Sequence, residues 1–472
     1  MSHRLWRKLE SLGISQSQWS SRASSMAANS PVGSHSFCFS GSLMPFLLIR
    51  RCLGSNKAGE SLSQVCGDSN VQVLDFPGGK VNFSSEMRFL SESSPERISC
   101  YRVLDDYGRI ISNSSSQQVR KEVALKMYRD MVTLQTMDTI FYEAQRQGRI
   151  SFYLTTIGEE AINIASAAAL TIDDIVIPQE FAHHNFGTKY DSGKGRQMPV
   201  HYGCSRLNYF TVSSTIATQL PHAVGVAFAL KMDKKNACAV VYFGDGGTSE
   251  GDFHAALNFA AVMEVPVIFF CRNNGWAIST PTTEQFRSDG AVIRGQAYGI
   301  RSIRIDGNDG LAVYNAVCAA REMAISECRP VLVEALTYRV GHHSTSDDST
   351  KYRPMDEIEH WRTARDPVSR FRKWVEGNGW WSNEVELNLR SNVRKELLQA
   401  IQVAEQTEKP PLFELFTDVY DQVPLNLCEQ EKSLRETIRK HPGDYPIDSL
   451  FRKKQLKGAR QHPTMLYLSL QA

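Results

Sequence analysis

Two short polar turns carry the residues of this sequence that are best suited to chemistry. Gly244-Asp245-Gly246-Gly247 follows one apolar stretch, and Asn273-Asn274-Gly275 follows the next. Glycines let backbone N–H groups approach a diphosphate closely, and a helix after such a turn presents its positive end to it. Asp245 offers a hard anionic oxygen and Asn274 a neutral one, and Mg²⁺ prefers such ligands. The two turns therefore predict a site for a diphosphate and its Mg²⁺ ion.

The pairing of the turns makes this prediction specific. A single G-D-G is common as a plain structural turn, and this one fits neither a P-loop nor a dinucleotide-binding fingerprint. Asn273 and Asn274, however, lie 28 and 29 residues after Asp245, just past the next predicted strand. This spacing is similar to that of the thiamine diphosphate motif.

A parallel sheet is needed to bring the two turns together. Strands are predicted at 237–243, 266–271, 301–305 and 331–336, most of them rich in apolar residues, with helices predicted at 252–263 and 311–327. Fully apolar strands separated by helices are typical of an α/β protein with both faces of its parallel sheet covered. In such a sheet both turns emerge at the carboxyl edge, where ligands bind.

Further elements are predicted on either side of this sheet. On its amino-terminal side the patterns predict helices at 118–147 and 158–170 and short strands at 150–154 and 175–177. On its carboxyl-terminal side, helices are expected at 366–377 and 393–407, whereas 451–472 shows neither helical nor strand periodicity.

Composition excludes several classes of protein. The chain has 472 residues, 42% hydrophobic and 22% charged, with a net charge of +2, so nothing indicates a nucleic-acid or membrane-surface protein. No apolar run approaches the roughly 20 residues of a membrane-spanning helix. The ten cysteines form no C-x-x-C pair, which favours free thiols in a reducing compartment over disulfides or zinc.

The first 70 residues differ from the rest of the chain. Up to residue 60 they are rich in serine, arginine and lysine, and they contain only Glu10 and Glu60 as acids. That composition is typical of a mitochondrial or chloroplast transit peptide, the alternative being a disordered cytosolic tail. We therefore expect a transit peptide and disordered segment at 1–70.

Five longer motifs carry a resemblance to a known family. The motifs are Phe76-Pro77-Gly78-Gly79-Lys80, Arg146-Gln147-Gly148-Arg149, Gly193-Lys194-Gly195-Arg196-Gln197-Met198-Pro199, Phe270-Cys271-Arg272-Asn273-Asn274-Gly275 and Gly341-His342-His343-Ser344-Thr345-Ser346-Asp347-Asp348-Ser349. With them, the sequence between about residues 70 and 450 resembles the alpha subunits of branched-chain 2-oxo-acid dehydrogenases. Pyruvate dehydrogenase alpha subunits share the G-D-G and N-N-G elements, but the double histidine with its Ser/Asp run is the branched-chain form. The resemblance implies a thiamine-diphosphate-binding fold at 71–450, with a mainly parallel sheet and a helical C-terminal region, and leaves 451–472 as a tail of unknown role.

The resemblance also implies roles for individual residues. Asp245, Asn274 and the Trp276 carbonyl would hold Mg²⁺, and His343 would act beside the reacting thiazolium. The remaining cofactor contacts would be Ser214, Ile216, Gly244, Gly246, Gly247 and Arg272, and a potassium site would comprise Ser213, Thr215, Thr218 and Gln219. One potassium ligand is a proline carbonyl in the family, and Thr215 offers the same atom. Without the resemblance to the family, we would expect residues 213–215 to cap the next helix, and His342 and His343 to be ordinary loop residues.

The implied reaction is oxidative decarboxylation of a branched-chain 2-oxo acid, followed by acyl transfer to a lipoyl group. Its cofactors are thiamine diphosphate, Mg²⁺ and K⁺. A beta subunit would complete an α₂β₂ tetramer in the mitochondrial matrix, and a lipoyl-bearing acyltransferase, a kinase and a phosphatase would be further partners. The family is phosphorylated at the position of Ser344, and a second phosphorylated position is occupied here by Pro354.

One segment departs from the family pattern. The family has a Tyr-Arg pair that holds the terminal phosphate of the cofactor, followed by a helix. Here Pro178-Gln179 runs directly into Glu180-Phe181-Ala182-His183-His184, which resembles the far end of that helix. Arg149 and Lys194 are too distant in the pattern to replace the pair. An alternative is therefore a cofactor-free subunit that only assembles with beta chains.

Overall fold

The computed structural model of the chain describes residues 73–76, 79–82, 87, 97–111, 119–170 and 178–445. The segments predicted at 1–70, 175–177 and 451–472 lie outside the described residues. The described residues fall into two compact units that divide after Phe89. The first contains an antiparallel hairpin of β1 (Val73–Phe76) and β2 (Gly79–Asn82).

The second unit is built around a five-stranded sheet in which every pair is parallel, in the order β3-β8-β9-β5-β4. These strands are β3 (Cys100–Tyr101), β4 (Ala239–Gly244), β5 (Val267–Asn273), β8 (Arg301–Asp306) and β9 (Val331–Leu336). A small hairpin of β6 (Trp276–Ala277) and β7 (Thr280–Pro281) follows β5. The predicted mainly parallel α/β architecture is confirmed.

Helices cover both faces of this sheet. They are α1 (Lys121–Arg146), α2 (Glu160–Ala168), α3 (Pro178–Asn185), α4 (Gln219–Met232), α5 (Gly251–Met263), α6 (Thr282–Gln285), α7 (Val292–Ala297), α8 (Gly310–Glu327), α9 (Met355–Ala364), α10 (Pro367–Gly377), α11 (Asn383–Gln406) and α12 (Leu425–Lys440). Along β5, Ile268 and Phe270 pack with α1, α2 and α8, whereas Phe269 and Cys271 pack with α4 and α5. This alternation explains why the strand is apolar throughout, since neither face meets water.

Three sequence predictions need correction. Residues 150–154 form no strand. Tyr153 is buried against α1, and its carbonyl accepts from the Thr345 N–H in a loop and not from a neighbouring strand. The predicted tight turn at 244–247 is a 3-10 helix, Asp245–Ser249. The helix predicted from 393 begins at Asn383, where the Ser382 hydroxyl caps it by accepting from the Val385 N–H.

Two further findings bear on the class of protein. Within the described ranges, no helix combines the length and the apolar character needed to cross a membrane. The seven described cysteines are free thiols, and burial raises the pKa of the fully enclosed Cys271 thiol well above its usual value.

Candidate functional site

The two predicted turns lie side by side at the carboxyl edge of the sheet. The register between β4 and β5 pairs Gly244 with Arg272, so Asp245 follows one strand where Asn274 follows its neighbour. Asp245 is only 2% exposed, and no described Lys, Arg or His forms an ion pair with its carboxylate. Burial raises the pKa of this carboxyl group, because its charge has lost the solvation of water. A buried carboxylate without a cation is suited to binding a metal ion.

Gln285 is the side chain that contacts Asp245 most directly, and the sequence did not point to it. Its Nε2 donates to Oδ2 of Asp245 at 2.7 Å and to the Thr280 carbonyl at 3.1 Å. Its Oε1 is buried and has no hydrogen-bond partner. The Asp245 carboxylate and the unsatisfied Gln285 oxygen are both hard oxygen acceptors. Such a pair fits a Mg²⁺ ion together with its bound water.

The asparagine turn is held from two sides. Asn274 donates from Nδ2 to Oε1 of Glu159 at 3.0 Å, and its Oδ1 accepts from the Trp276 N–H at 3.3 Å. Asn273 donates to Glu334, which is fully buried on β9. Glu159 was also missed from sequence, because it precedes α2 and is 115 residues away from Asn274 in the chain.

Gly246 is required by its close approach to the β6–β7 hairpin. A Cβ atom at this position would lie 2.7 Å from Cβ of Ala277 in the β6–β7 hairpin. At Gly244 and Gly247 an added Cβ would meet only ordinary contacts. Close packing against Ala277 thus explains why position 246 is glycine.

Arg272 lies at the end of β5 with one donor unused. Its Nη1 lies 3.4 Å from Oδ1 of Asn163 and 3.6 Å from Oε2 of Glu159. Its Nε is buried and has no partner, which fits a phosphate oxygen as acceptor. Arg149 and Lys194 are occupied elsewhere, Arg149 with Glu405 and Lys194 with Glu414 and Asp418.

The loop before α4 brings together most of the residues assigned to potassium. Thr218 Oγ1 lies 3.4 Å from the Ser213 hydroxyl and donates to the Thr215 carbonyl at 3.1 Å. Gln219 donates to the Tyr242 carbonyl, while its own buried Oε1 has no partner. The alternative that 213–215 caps the helix is wrong: the N-cap residue is Thr218, and no side chain caps the helix there.

The two residues expected at the aminopyrimidine lie on the same loop. Ser214 is hydrogen-bonded to Nε2 of His201, a partner that the sequence did not indicate. Ile216 is 61% exposed. Both residues therefore lie at an accessible surface.

His343 lies in a loop that is stabilised mainly by Asp347. The Asp347 carboxylate accepts from the His343 N–H at 2.9 Å and from the Tyr352 hydroxyl at 2.6 Å. Burial lowers the pKa of His343 from its usual 6.5, Arg339 lowers it further, and Asp347 raises it. A neutral imidazole is therefore favoured near neutral pH.

Arg339 connects this loop to the metal turn and is another residue that the sequence analysis missed. It is 6% exposed and donates to the carbonyl oxygens of Trp276 and Ile278, each at 3.1 Å. Its charge acts on both Asp245 and His343. The Trp276 carbonyl therefore keeps one lone pair for a metal.

No cluster of three His, Cys, Asp or Glu side chains suitable for a metal occurs among the described residues. His342, the neighbour of His343, is instead paired with Ser349 through its Nδ1. The candidate Mg²⁺ site is of a different kind, since it combines one carboxylate with neutral oxygens.

Comparisons with known proteins identify the family of the chain. The family described as "Dehydrogenase E1 component" matches residues 128–412. The 2-oxoisovalerate dehydrogenase subunit alpha 2 of Arabidopsis thaliana is 68% identical over 395 residues, 80% of this chain and 84% of the relative. The human mitochondrial 2-oxoisovalerate dehydrogenase subunit alpha is 47% identical over 388 residues, 79% of this chain and 87% of the relative. The chain therefore belongs to the dehydrogenase E1 component family, among the alpha subunits of the branched-chain 2-oxo-acid dehydrogenases.

Proposed function

We propose that this chain is the alpha subunit of a 3-methyl-2-oxobutanoate dehydrogenase, which decarboxylates branched-chain 2-oxo acids oxidatively and passes the acyl group to lipoamide. The names and identities of its relatives support the 2-oxo-acid dehydrogenase activity. The observation that carries the proposal for this chain is the buried carboxylate of Asp245, which forms no ion pair with any described residue and lies beside Asn274 at the carboxyl edge of the sheet.

The cofactor of the family is thiamine diphosphate, which supplies a carbanion and an electron sink to the reaction. In this chain Asp245, Asn274 and the Trp276 carbonyl would hold the Mg²⁺ ion that carries its diphosphate. Arg272 would donate to the diphosphate from its unpartnered Nε, and Gly244, Gly246 and Gly247 would leave room for it. The thiamine-diphosphate-binding fold is part of the same proposal.

His343 is the proposed catalytic residue. Its pKa is lowered by burial and by Arg339, so the imidazole can accept or return a proton near neutral pH. The Asp347 carboxylate accepts from the His343 backbone N–H, which stabilises the loop at this residue.

A K⁺ ion would stabilise the loop that carries Ser214 and Ile216. The Thr218 hydroxyl lies within hydrogen-bond distance of the Ser213 hydroxyl and of the Thr215 carbonyl, and Gln219 adds a buried oxygen without a partner. A monovalent cation would satisfy these oxygens together and order the surface that faces the aminopyrimidine.

Membership of the family implies a beta subunit as partner and a mitochondrial location. We further propose an α₂β₂ heterotetramer in the matrix, which delivers its product to a lipoyl-bearing acyltransferase. The exposed Ile216 supports a site completed by another chain. Phosphorylation of Ser344 by a kinase, reversed by a phosphatase, would regulate the enzyme, because the phosphate would repel Asp347 and release His343.

The missing Tyr-Arg pair favours one rival function, that of a subunit which assembles with beta chains without binding cofactor. Neither Arg149 nor Lys194 substitutes for the pair, because both are engaged in ion pairs elsewhere. Losing one charge-assisted hydrogen bond to phosphate would cost about 1.5–3 kcal/mol, or roughly tenfold to more than a hundredfold in affinity. A second rival, pyruvate as substrate, is tested by assaying pyruvate against branched-chain 2-oxo acids.

The deciding experiment is calorimetric titration of thiamine diphosphate with Mg²⁺ into this chain co-expressed with a matching beta subunit. Micromolar binding supports the enzyme. A tetramer that forms but does not bind millimolar cofactor identifies the chain as an assembly partner. Asp245→Ala in the same complex is the control, because it removes the proposed metal ligand and should abolish Mg²⁺-dependent binding of the cofactor.

A further inference from the structure

Glu159 contacts two residues of the proposed cofactor site at once. It lies immediately before α2 and is 3% exposed. Its Oε1 accepts from Nδ2 of Asn274 at 3.0 Å, and its Oε2 lies 3.6 Å from Nη1 of Arg272. One buried carboxylate therefore lies behind both the neutral metal ligand and the basic residue assigned to the diphosphate.

We propose that Glu159 is a positioning residue for Mg²⁺, which fixes the amide of Asn274 with its oxygen facing the metal. This inference rests on the proposed function. An asparagine amide can bind with either end, but only its oxygen is a ligand for Mg²⁺. An ionised carboxylate has acceptors only, so it selects the NH₂ group of Asn274 and directs Oδ1 away from itself.

The second contact of the amide agrees with this orientation but is weaker. The Trp276 N–H donates to Oδ1 at 3.3 Å, at the long end of the range for such bonds. That bond would still leave one lone pair of Oδ1 for a metal. The bond to Glu159, at 3.0 Å, is the shorter of the two and sets the orientation.

Glu159 is itself firmly held. Its backbone N–H donates to the Thr156 carbonyl at 2.9 Å, and its carbonyl accepts from both the backbone and the side chain of Asn163. Gly158 has φ +96°, and a Cβ there would lie 2.5 Å from the Tyr338 carbonyl oxygen. The chain can therefore make this turn only with glycine at position 158. The turn brings the Glu159 carboxylate into contact with Asn274.

The contact with Arg272 gives the same carboxylate a second role. Oε2 and Asn163 hold one end of the guanidinium, while its Nε remains without a partner. Glu159 thus orients a donor and a metal ligand toward one space, as the outer partners of metal ligands commonly do.

The test measures the Mg²⁺ concentration needed for half-maximal binding of thiamine diphosphate to the complex with the beta subunit. Removing such an outer partner commonly costs about 10–100-fold in metal affinity, so Glu159→Gln should raise this concentration by about that factor. Glu159→Asp keeps an acceptor-only group and should recover part of the loss. Glu160→Gln is the matched control: Glu160 is equally buried, and its carboxylate accepts from Gly158 rather than from Asn274.

A second variant separates positioning from general damage to the fold. Asn274→Asp places a carboxylate against Glu159, so the two charges repel each other. When Glu159→Gln is added to that variant, the new amide can donate to the new carboxylate and should improve Mg²⁺ binding. The same substitution at Glu159 is therefore expected to weaken binding in one background and strengthen it in the other, which a merely structural role does not produce.

The possible results separate this inference from the proposed function. If the unsubstituted complex binds no cofactor, the proposed function fails. If it binds cofactor with Mg²⁺ and Glu159→Gln leaves the Mg²⁺ dependence unchanged, the positioning role is overturned. Weakening of equal size by Glu159→Gln in the unsubstituted chain and in the Asn274→Asp variant also overturns it.

Discussion

The guanidinium of Arg339 donates to the carbonyl oxygen of Trp276 at 3.1 Å. This bond joins the loop that carries His343 to the turn that carries Asn274. Tyr352 adds a second connection, since its ring packs against Trp276 with the centroids 5.8 Å apart and its hydroxyl donates to Asp347. The segment with the proposed metal ligands and the loop with the proposed catalytic histidine are therefore linked by direct contacts.

The charges around His343 predict opposite shifts in pH dependence. Arg339 lowers the pKa of His343 and Asp347 raises it. Arg339→Gln should therefore move the pH-dependent step of kcat that belongs to His343 to higher pH, and Asp347→Asn should move it to lower pH. The sign holds whichever protonation state the reaction uses.

The matched control for this pair is Asp348→Asn, because Asp348 is exposed and its side chain accepts from Thr350. Its kcat profile between about pH 5 and 8, the range in which histidine titrates, should overlay that of the unsubstituted enzyme. Shifts in the same direction for Arg339→Gln and Asp347→Asn would show that the measured group is not His343.

Asp245→Asn should have opposite effects on function and stability. Removing the carboxylate should weaken Mg²⁺-dependent cofactor binding by more than about 100-fold, since even outer partners of a metal cost up to that. Folding raises the pKa of this carboxyl, so its stabilising contribution is greatest at low pH and declines as pH rises through the folded pKa. Without cofactor at pH 7, the variant complex should unfold at a higher temperature than the unsubstituted one. A lower melting temperature would contradict this reading of Asp245.

Gly246 and Ala277 should behave as a compensating pair. Gly246→Ala puts two Cβ atoms 2.7 Å apart and should cost about 1–3 kcal/mol through overpacking. Ala277→Gly in the same chain removes the clash, because the next nearest atom, Cα of Ala277, is 3.7 Å away. Thermal unfolding and cofactor binding should both fall in the single variant and return in the double variant. Failure of the double variant to recover would mean that Gly246 is needed for another reason.

Ser344→Glu should lower the activity of the assembled complex by at least about tenfold, a change that corresponds to only 1.4 kcal/mol. Ser344 is half-buried and accepts from the Ser346 N–H, and a negative charge there would repel Asp347. The readout is kcat, together with protease sensitivity of the 342–353 loop. Ser344→Gln provides similar bulk without charge and should be less impaired. Full activity of Ser344→Glu would exclude regulation by charge at this position.

Sequence periodicity was sufficient for the strands and helices whose apolar residues are buried on both sides. It predicted β4, β5, β8 and β9 to within two residues at either end. For β5 and β9 the reason is burial on both faces, which requires a continuous apolar run. Periodicity wrongly predicted a strand at 150–154. Tyr153 is buried there by a helix and a loop, and the segment does not pair with any strand. It also missed the start of α11, because the cap at Ser382 precedes a surface-exposed first part of the helix.

By itself, the sequence determined the parallel α/β architecture, the family and the two turns at the sheet edge, because short-range spacing and apolar runs encode them. Only the tertiary structure decided which side chains support those turns. Glu159, Gln285 and Arg339 contact the site from positions 115, 40 and 63 residues away from their partners. Contacts over such distances depend on the packing of separate elements, and no local pattern specifies them. The same packing buries Asp245 without an ion-pair partner in the described part of the chain, and a bound metal would supply that partner.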